Sequence, residues 1–320
     1  MKKNIAIVTG GDSKEYNISI LSAKTVYNNL NKKKFNLFIV ELKNNKWFLK
    51  SEIGNVVTEN NNFFLEIGNK EIKINDVFMA LHGPPAENGK IQDFFEKRNI
   101  KYSCCNSETS KLTFDKFRCN NYLSNLGYII SKSVLIDLNT DIYQKELVKD
   151  LKFPLFIKPN RAGSSNGISK IYKKDSIENA LKYASKHDNE IIIEEMINGK
   201  ELSCGVLMLN NKIKSLPITE IISDNDFFDY DAKYNNQSKE ITPAKISDKL
   251  TDEIKTKTEK IYKDLSLRGI CRIDYILDGK TPYIIEINTI PGLTEKSIIP
   301  QQIINEGFSL EEIFTSSLDN

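Results

Sequence analysis

The sequence predicts an α/β protein, in part α+β, with a doubly wound N-terminal unit followed by two smaller sheets. Three observations predict it. A βαβ opening spans residues 4–41 through a Gly10-Gly11 turn, and a strand–glycine loop–strand–helix–strand succession occupies residues 153–195. The third is a hairpin within residues 271–293 that carries an unusual set of polar side chains. At 320 residues the chain has room for several cores, and the pattern divides it into segments 1–105, 106–197 and 198–320.

Residues 4–8 (NIAIV) form a short apolar strand running into Gly10-Gly11-Asp12-Ser13, with a helix-like segment at 18–30 and a strand at 35–41. In such units ligands gather beyond the carboxyl ends of the strands. That draws attention to Glu15, and to His82 at the end of a buried strand over 76–81. Residues 92–98 read as helix and 101–103 as the unit's last strand. Residues 107–126 read as one amphipathic helix, with Leu112, Phe117, Tyr122 and Leu123 at helical spacing. The central segment is predicted as strands at 153–158, 168–172 and 190–195 with a helix at 176–185. A strand at 202–209, a polar loop at 223–240, a helix at 248–265, the hairpin and a helical tail from about 297 complete the chain.

In the hairpin, two runs of β-formers flank Asp278-Gly279-Lys280. Side chains on a strand alternate faces, so Arg272 shares a face with Asp274, and Glu286 with Asn288. With the turn centred on Lys280, Asp274 falls opposite Glu286 and Arg272 opposite Asn288, at about 4.5–5.5 Å. Two carboxylates that close repel unless a cation neutralises them. Hard oxygen donors without Cys or His suit Mg²⁺, and a nearby arginine suits an anionic transition state. A surface hairpin with a solvated polar face also explains the alternation. It does not explain Asn288-Thr-Ile-Pro-Gly292 following at once.

Other signals are individually ambiguous. Lys158 ends a strand before the small, hydroxyl-rich loop Pro-Asn-Arg-Ala-Gly-Ser-Ser-Asn-Gly167, whose N–H groups could cradle phosphate; a plain surface turn reads equally well. The spacing is not that of a Walker A loop. Residues 191–201 (IIIEEMINGKE) could offer backbone to an adenine and Glu201 to a ribose, or simply end a strand. Glu15 could hold an ammonium group or serve as a first-turn helix carboxylate. His82 could face a ligand or cap its strand, whereas His187 reads as solvated surface.

Apolar residues at 40%, charged residues at 28% and a net charge of +2 describe an ordinary globular chain and give no support to a nucleic-acid role. Five cysteines without paired metal spacing indicate reduced thiols and a cytoplasmic protein. Met1-Lys2-Lys3 imitates a secretory start, but the apolar run at 5–8 is too short, and no segment suffices to span a bilayer.

In order along the chain, these pieces resemble the D-alanine–D-alanine ligases of the ATP-grasp superfamily. The matching stretches are Gly10-Gly11-Asp-Ser-Lys-Glu15, His82-Gly83 with Glu87-Asn88-Gly89, Phe114-Asp115-Lys116 and Lys158 through Gly167. They continue with Tyr230-Asp-Ala-Lys-Tyr234, Arg272-Ile-Asp274 and Glu286-Ile-Asn288-Thr-Ile-Pro-Gly292. The resemblance implies ATP clasped between the sheets of the central and C-terminal domains. It implies Lys116 and Lys158 on the phosphates, with Ser164 and Ser165 in a loop folding over them. Glu194, the backbone of Glu195–Ile197, and Glu201 would hold adenosine. Asp274, Glu286 and Asn288 would bind two Mg²⁺, or Mn²⁺ in its place.

The same resemblance makes 223–240 a lid, with Lys233 reaching phosphate and substrate. Glu15 would bind the first D-alanine and link through Ser164 to Tyr234, latching the lid. Arg272 and the Gly292 N–H would stabilise the oxyanion formed when a second D-alanine attacks an acyl phosphate. Ser297 would hold that substrate's carboxylate and His82 would border the pocket. A homodimer acting in peptidoglycan precursor synthesis, with no membrane or nucleic-acid partner, is implied too. The chain departs from the family pattern at Pro84-Pro85-Ala86, at Asn88 in place of aspartate, and at Glu295-Lys296 beside the second-substrate site. Tyr234 favours an amine over a hydroxyl acceptor. Ligases making D-alanyl-D-serine or D-alanyl-D-lactate, other ATP-grasp carboxylate–amine ligases and a non-catalytic nucleotide-binding relative are the alternatives.

Overall fold

The computed structural model describes residues 2–140, 148–163, 166–223 and 238–319. The N-terminal unit begins with β1 (Lys3–Gly10), α1 (Tyr16–Asn29), β2 (Phe35–Lys43) and β3 (Lys46–Leu49). It continues with β4 (Asn55–Val57), β5 (Phe64–Ile67), β6 (Lys70–Lys73), β7 (Asp76–Met79), α2 (Lys90–Glu96) and β8 (Lys101–Tyr102). The main sheet runs β3-β2-β1-β7-β8, with β1 parallel to both β2 and β7. Strand order therefore reverses at β1, so Gly10-Gly11 and His82-Gly83 flank the crevice where such sheets bind ligands. Ile5 to Val8 are wholly buried, as expected of a strand covered on both faces. The small β4-β5-β6 sheet was not legible as strands, since each is only three or four residues long.

The segment expected as one helix is two: α3 (Ser107–Phe114) and α4 (Lys116–Asn125). Asp115 leaves helical geometry (φ −85°, ψ 92°), and its carboxylate caps the second helix by accepting from the Arg118 N–H at 3.0 Å. Asn160 Oδ1 accepts from the Phe117 N–H at 2.9 Å. Periodicity could not reveal this break, because the cap depends on a residue more than forty positions away.

The central sheet, β11-β10-β12-β9, is antiparallel and packs against α5 (Ile177–Ala184). Its strands are β9 (Ser133–Asp137), β10 (Leu155–Pro159), β11 (Ser169–Ile171) and β12 (Glu190–Glu195). The C-terminal sheet joins β13 (Lys200–Leu209), β14 (Lys212–Ser215), β15 (Thr219–Ser223) and β16 (Ser238–Ile241) to β17 (Cys271–Asp278) and β18 (Thr281–Asn288). Helix α6 (Asp248–Asp264) buries Ile254, Ile261 and Tyr262 on one face of it. The tail forms α7 (Ile298–Asn305) and α8 (Leu310–Ser316), which pack with α1 in a core shared with the N-terminal unit. The polar loop expected at 223–240 is strand at both ends, since Ser223 closes β15 and β16 pairs with it.

The hairpin register at the polar patch is as expected, but for a different reason. Asp278 pairs with Thr281 across a two-residue turn, not one centred on Lys280. A β-bulge at Ile285 then inserts one residue, restoring Asp274 opposite Glu286 and Arg272 opposite Asn288. Among the described residues no helix is long and apolar enough to cross a membrane, and all five cysteines are buried free thiols.

Candidate active site

Asp274 organises the polar patch. Its carboxylate accepts from Arg272 twice, Nε at 2.9 Å and a terminal nitrogen at 2.8 Å. It accepts further from Ser203 Oγ at 2.7 Å and Asn288 Nδ2 at 2.9 Å. The paired contact fixes the guanidinium plane, which a lysine could not achieve. Opposite Asp274, Glu286 meets the Lys116 ammonium at 3.0 Å. Lys116 also donates to the Ala162 carbonyl at 2.7 Å. Burial disfavours its charge, but Glu286, Glu87 and Glu194 more than offset that and raise its pKa. On the central sheet Lys158 pairs with Glu194, both side chains buried.

These groups lie where two clefts meet. One, of about 590 Å³, runs between the central and C-terminal sheets and is lined by Lys158, Glu194, Glu195, Ile197 and Glu201. The other, of about 800 Å³, opens toward the N-terminal unit and is lined by Glu15, His82, Arg272, Gly292 and Ser297. Lys116, Ala162, Arg272 and Glu286 line both. The expected site residues that are described therefore converge, although they come from all three segments. Ser164, Ser165, Lys233 and Tyr234 lie outside the described residues, as does most of the expected lid.

Glu15 occupies the N-cap position of α1 yet makes no side-chain cap hydrogen bond. Instead it turns into the larger cleft. A Cβ on Gly83 would lie 3.0 Å from its Oε2 and one on Gly163 3.3 Å away, so both glycines keep space for this carboxylate. Gly83 also has φ +72°, where a side chain would be strained.

His82 resolves the alternatives left open by its position. It lies on the cleft wall, but both ring nitrogens are engaged. The Ile290 carbonyl can only accept, so Nδ1, 2.9 Å away, carries the proton. Nε2 then accepts from the Ser22 hydroxyl at 2.8 Å, and Ser22 Oγ accepts from the Leu293 N–H at 3.1 Å. Burial holds the ring pKa low despite nearby Glu15, keeping it neutral. The pair thus bolts α1 to both ends of the Pro291-Gly292 turn. Ser22→Ala leaves two buried polar groups unpartnered and should lower stability by roughly 1–3 kcal/mol. Urea melts measure the loss, and an unchanged midpoint would discount the bolt.

Glu87 falls within the His82–Gly89 stretch, where the sequence shows nothing of its depth or its neighbours. Burial first, and then Glu15, push its pKa up to about 8. A carboxyl that titrates near 8 when folded and near 4.5 when unfolded holds an extra proton in the folded state between those values. Stability therefore falls as pH rises through that window. Glu87→Gln should abolish this dependence, so the variant gains on the native chain between pH 5 and about 8 in thermal melts. Parallel pH–stability curves for the two proteins would contradict it.

Sequence reading also missed the apolar lining of the smaller cleft, including Phe156, Ile168, Met196 and Ile276. Phe156 stands two residues before Lys158 on β10 and so shares its face, a period-2 signal that was available. Among the described residues no three His, Cys, Asp or Glu side chains are grouped to hold a metal. Asp274 and Glu286 make a three-oxygen set only with Asn288, whose amide donates here and would have to turn its oxygen inward. That hard, incomplete set fits a Mg²⁺ ion that takes its remaining ligands from phosphates and water.

Residues 4–105 match the family model described as D-ala D-ala ligase N-terminus, and residues 123–319 match D-ala D-ala ligase C-terminus. A D-alanine–D-alanine ligase of Bacteroides fragilis is 39% identical over 322 residues, covering 100% of this chain and 99% of that protein. One from Flavobacterium johnsoniae is 42% identical over 318 residues, covering 99% and 98%. The crystal structure of VanG D-Ala:D-Ser ligase from Enterococcus faecalis superposes with a TM-score of 0.89 at 32% identity, covering 100% and 99%. That of the Bacillus anthracis D-alanine–D-alanine ligase complexed with ATP gives 0.80 at 26% identity, covering 99% and 98%. The architecture is that of the ATP-grasp ligases. With both halves matched, and with relatives of that identity along its whole length, the chain belongs to the D-alanine–D-alanine ligase family.

Proposed function

We propose that this chain joins two D-alanines into D-alanyl-D-alanine at the expense of ATP, supplying a peptidoglycan precursor. The observation carrying this reading is the junction of the two clefts at Lys116, Arg272 and Glu286. A nucleotide lying in the smaller cleft brings its terminal phosphate to the carboxylate of an amino acid in the larger one. The apolar faces of Phe156, Met196 and Ile276 suit an adenine, and Glu201 suits its ribose. Lys116 and Lys158 supply the positive charge that phosphoryl transfer requires.

Glu15 receives the ammonium group of the first D-alanine and aims its carboxylate at that junction. The carboxylate attacks the γ-phosphorus, giving an acyl phosphate and ADP. The ammonium of the second D-alanine gives one proton to water to become the amine, which adds to the acyl carbon and sheds a second proton to water as the amide forms. Arg272 and the Gly292 N–H stabilise the resulting oxyanion, which collapses with loss of phosphate. Asp274 holds the guanidinium in one plane, and His82 and Ser22 hold the turn that presents Gly292. Ser297 at the N-terminus of α7 suits the second substrate's carboxylate, since helix N-termini favour anions. Asp274, Glu286 and Asn288 would hold Mg²⁺, which when bound neutralises phosphate charge. Ser164, Ser165, Lys233 and Tyr234 belong to the covering loops in this reading. A cytoplasmic homodimer is the accompanying expectation.

The likeness to a D-Ala:D-Ser ligase favours D-serine as the alternative second substrate. Phosphate release with ATP and Mg²⁺ tests both, using D-alanine alone and then D-alanine with D-serine or D-lactate. D-alanine alone should suffice. No phosphate from it would end the reading, and stimulation only by D-serine would move the chain to the alternative.

A further inference from the structure

Of the carboxylates lining the larger cleft, the mechanism above leaves Glu87, Glu240 and Glu295 unused, and Glu240 is the one carried by a strand of the C-terminal sheet. Glu240 lies on β16 opposite Ile221, which lies opposite Glu201, which lies opposite Ile276. Directly opposed residues of antiparallel strands share a face, and β17 alternates regularly from 272 to 276. Glu240 therefore stands on the same face of the sheet as Arg272 and Asp274. It lines the larger cleft together with Arg272, Ser297 and Gln301. Its Oε2 accepts from Gln301 Nε2 at 2.9 Å, and the same amide donates to the Lys296 carbonyl at 2.7 Å. Gln301 thus ties Glu240 to α7, the helix whose first turn follows Ser297. Burial raises the Glu240 pKa, with Gln301 and Arg272 opposing that.

Joining two amino acids brings two ammonium groups into one cleft. Glu15, on the N-terminal wall, serves the first. Glu240 stands on the C-terminal sheet, on the side of Gln301 and Ser297, where the second substrate is received. We propose that Glu240 is a specificity-determining residue that recruits the ammonium group of the acceptor amino acid and so disfavours uncharged hydroxyl acceptors. A half-buried carboxylate discriminates because a neutral hydroxyl leaves it without the charged partner that a cation provides. The inference rests on the reading of the larger cleft given above and adds to it the source of acceptor choice.

Glu240→Gln keeps an oxygen for Gln301 and removes only the charge. Steady-state kinetics should show the KM for acceptor D-alanine rising about 10-fold, the value of one charge-assisted hydrogen bond. The KM values for donor D-alanine and ATP should stay unchanged. In mixtures with D-lactate, the ratio of depsipeptide to dipeptide should rise by a comparable factor. Unchanged acceptor KM and product ratio in this variant overturn the proposal. So does an equal loss toward both acceptors that Gln301→Leu reproduces, which reduces Glu240 to a clamp on α7. Dipeptide formation by the native chain in the same assay tests the underlying reading separately. Its absence refutes that reading, whereas its presence beside an indifferent Glu240→Gln refutes only this one.

Discussion

Arg272→Ala is expected to lower turnover by roughly 10²–10³-fold, the usual consequence of removing one oxyanion donor. Arg272 is mostly covered, and its two hydrogen bonds to Asp274 leave it one orientation. A donor that acts as charge develops lowers kcat and kcat/KM together, whereas lost ground-state binding raises KM alone. Arg272→Lys separates charge from geometry, because an ammonium cannot make the paired contact and should recover only part of the rate. Circular dichroism should show both variants folded. Turnover of the alanine variant within about threefold of native, a small fraction of such an effect, would remove Arg272 from the mechanism.

Asp274→Asn is the second large effect. All four hydrogen bonds to this carboxylate come from donors: Ser203, Arg272 twice and Asn288. An asparagine offers one oxygen and must aim its own N–H groups at some of those donors. It also removes one of the two carboxylates of the metal set. We expect nucleotide affinity in Mg²⁺ to fall at least about 100-fold, with Arg272 loosened at the same time. Calorimetric titration of ATP with and without Mg²⁺ measures it. An unaltered Mg²⁺ dependence would show that Asp274 serves Arg272 alone.

These two variants share a residue pair that could be read from sequence, because both side chains lie on one strand two positions apart. The facing pair, Glu286 and Asn288, was legible too, although the assumed turn was wrong by half a residue step. The bulge at Ile285 cancelled that error. Glu15 and His82 were visible as residues beyond strand ends. Their competing explanations could not be weighed until capping and hydrogen bonding were known. Lys116 was accessible only through resemblance, because its helix starts at a break that Asp115 and Asn160 create together.

By itself the sequence determined the period-2 faces, the glycine turns after β1 and β7, and the oxygen-rich hairpin. These are local matters of backbone preference and side-chain alternation, acting over a few residues. Only the tertiary structure decided that Lys116 meets Glu286, that Lys158 meets Glu194, and that Glu87 is half-buried near Glu15. It alone turned Glu240 toward the cleft that Arg272 lines. The reason is that a charge's partner and its cost depend on what surrounds it, and those surroundings come from strands and helices distant in the chain.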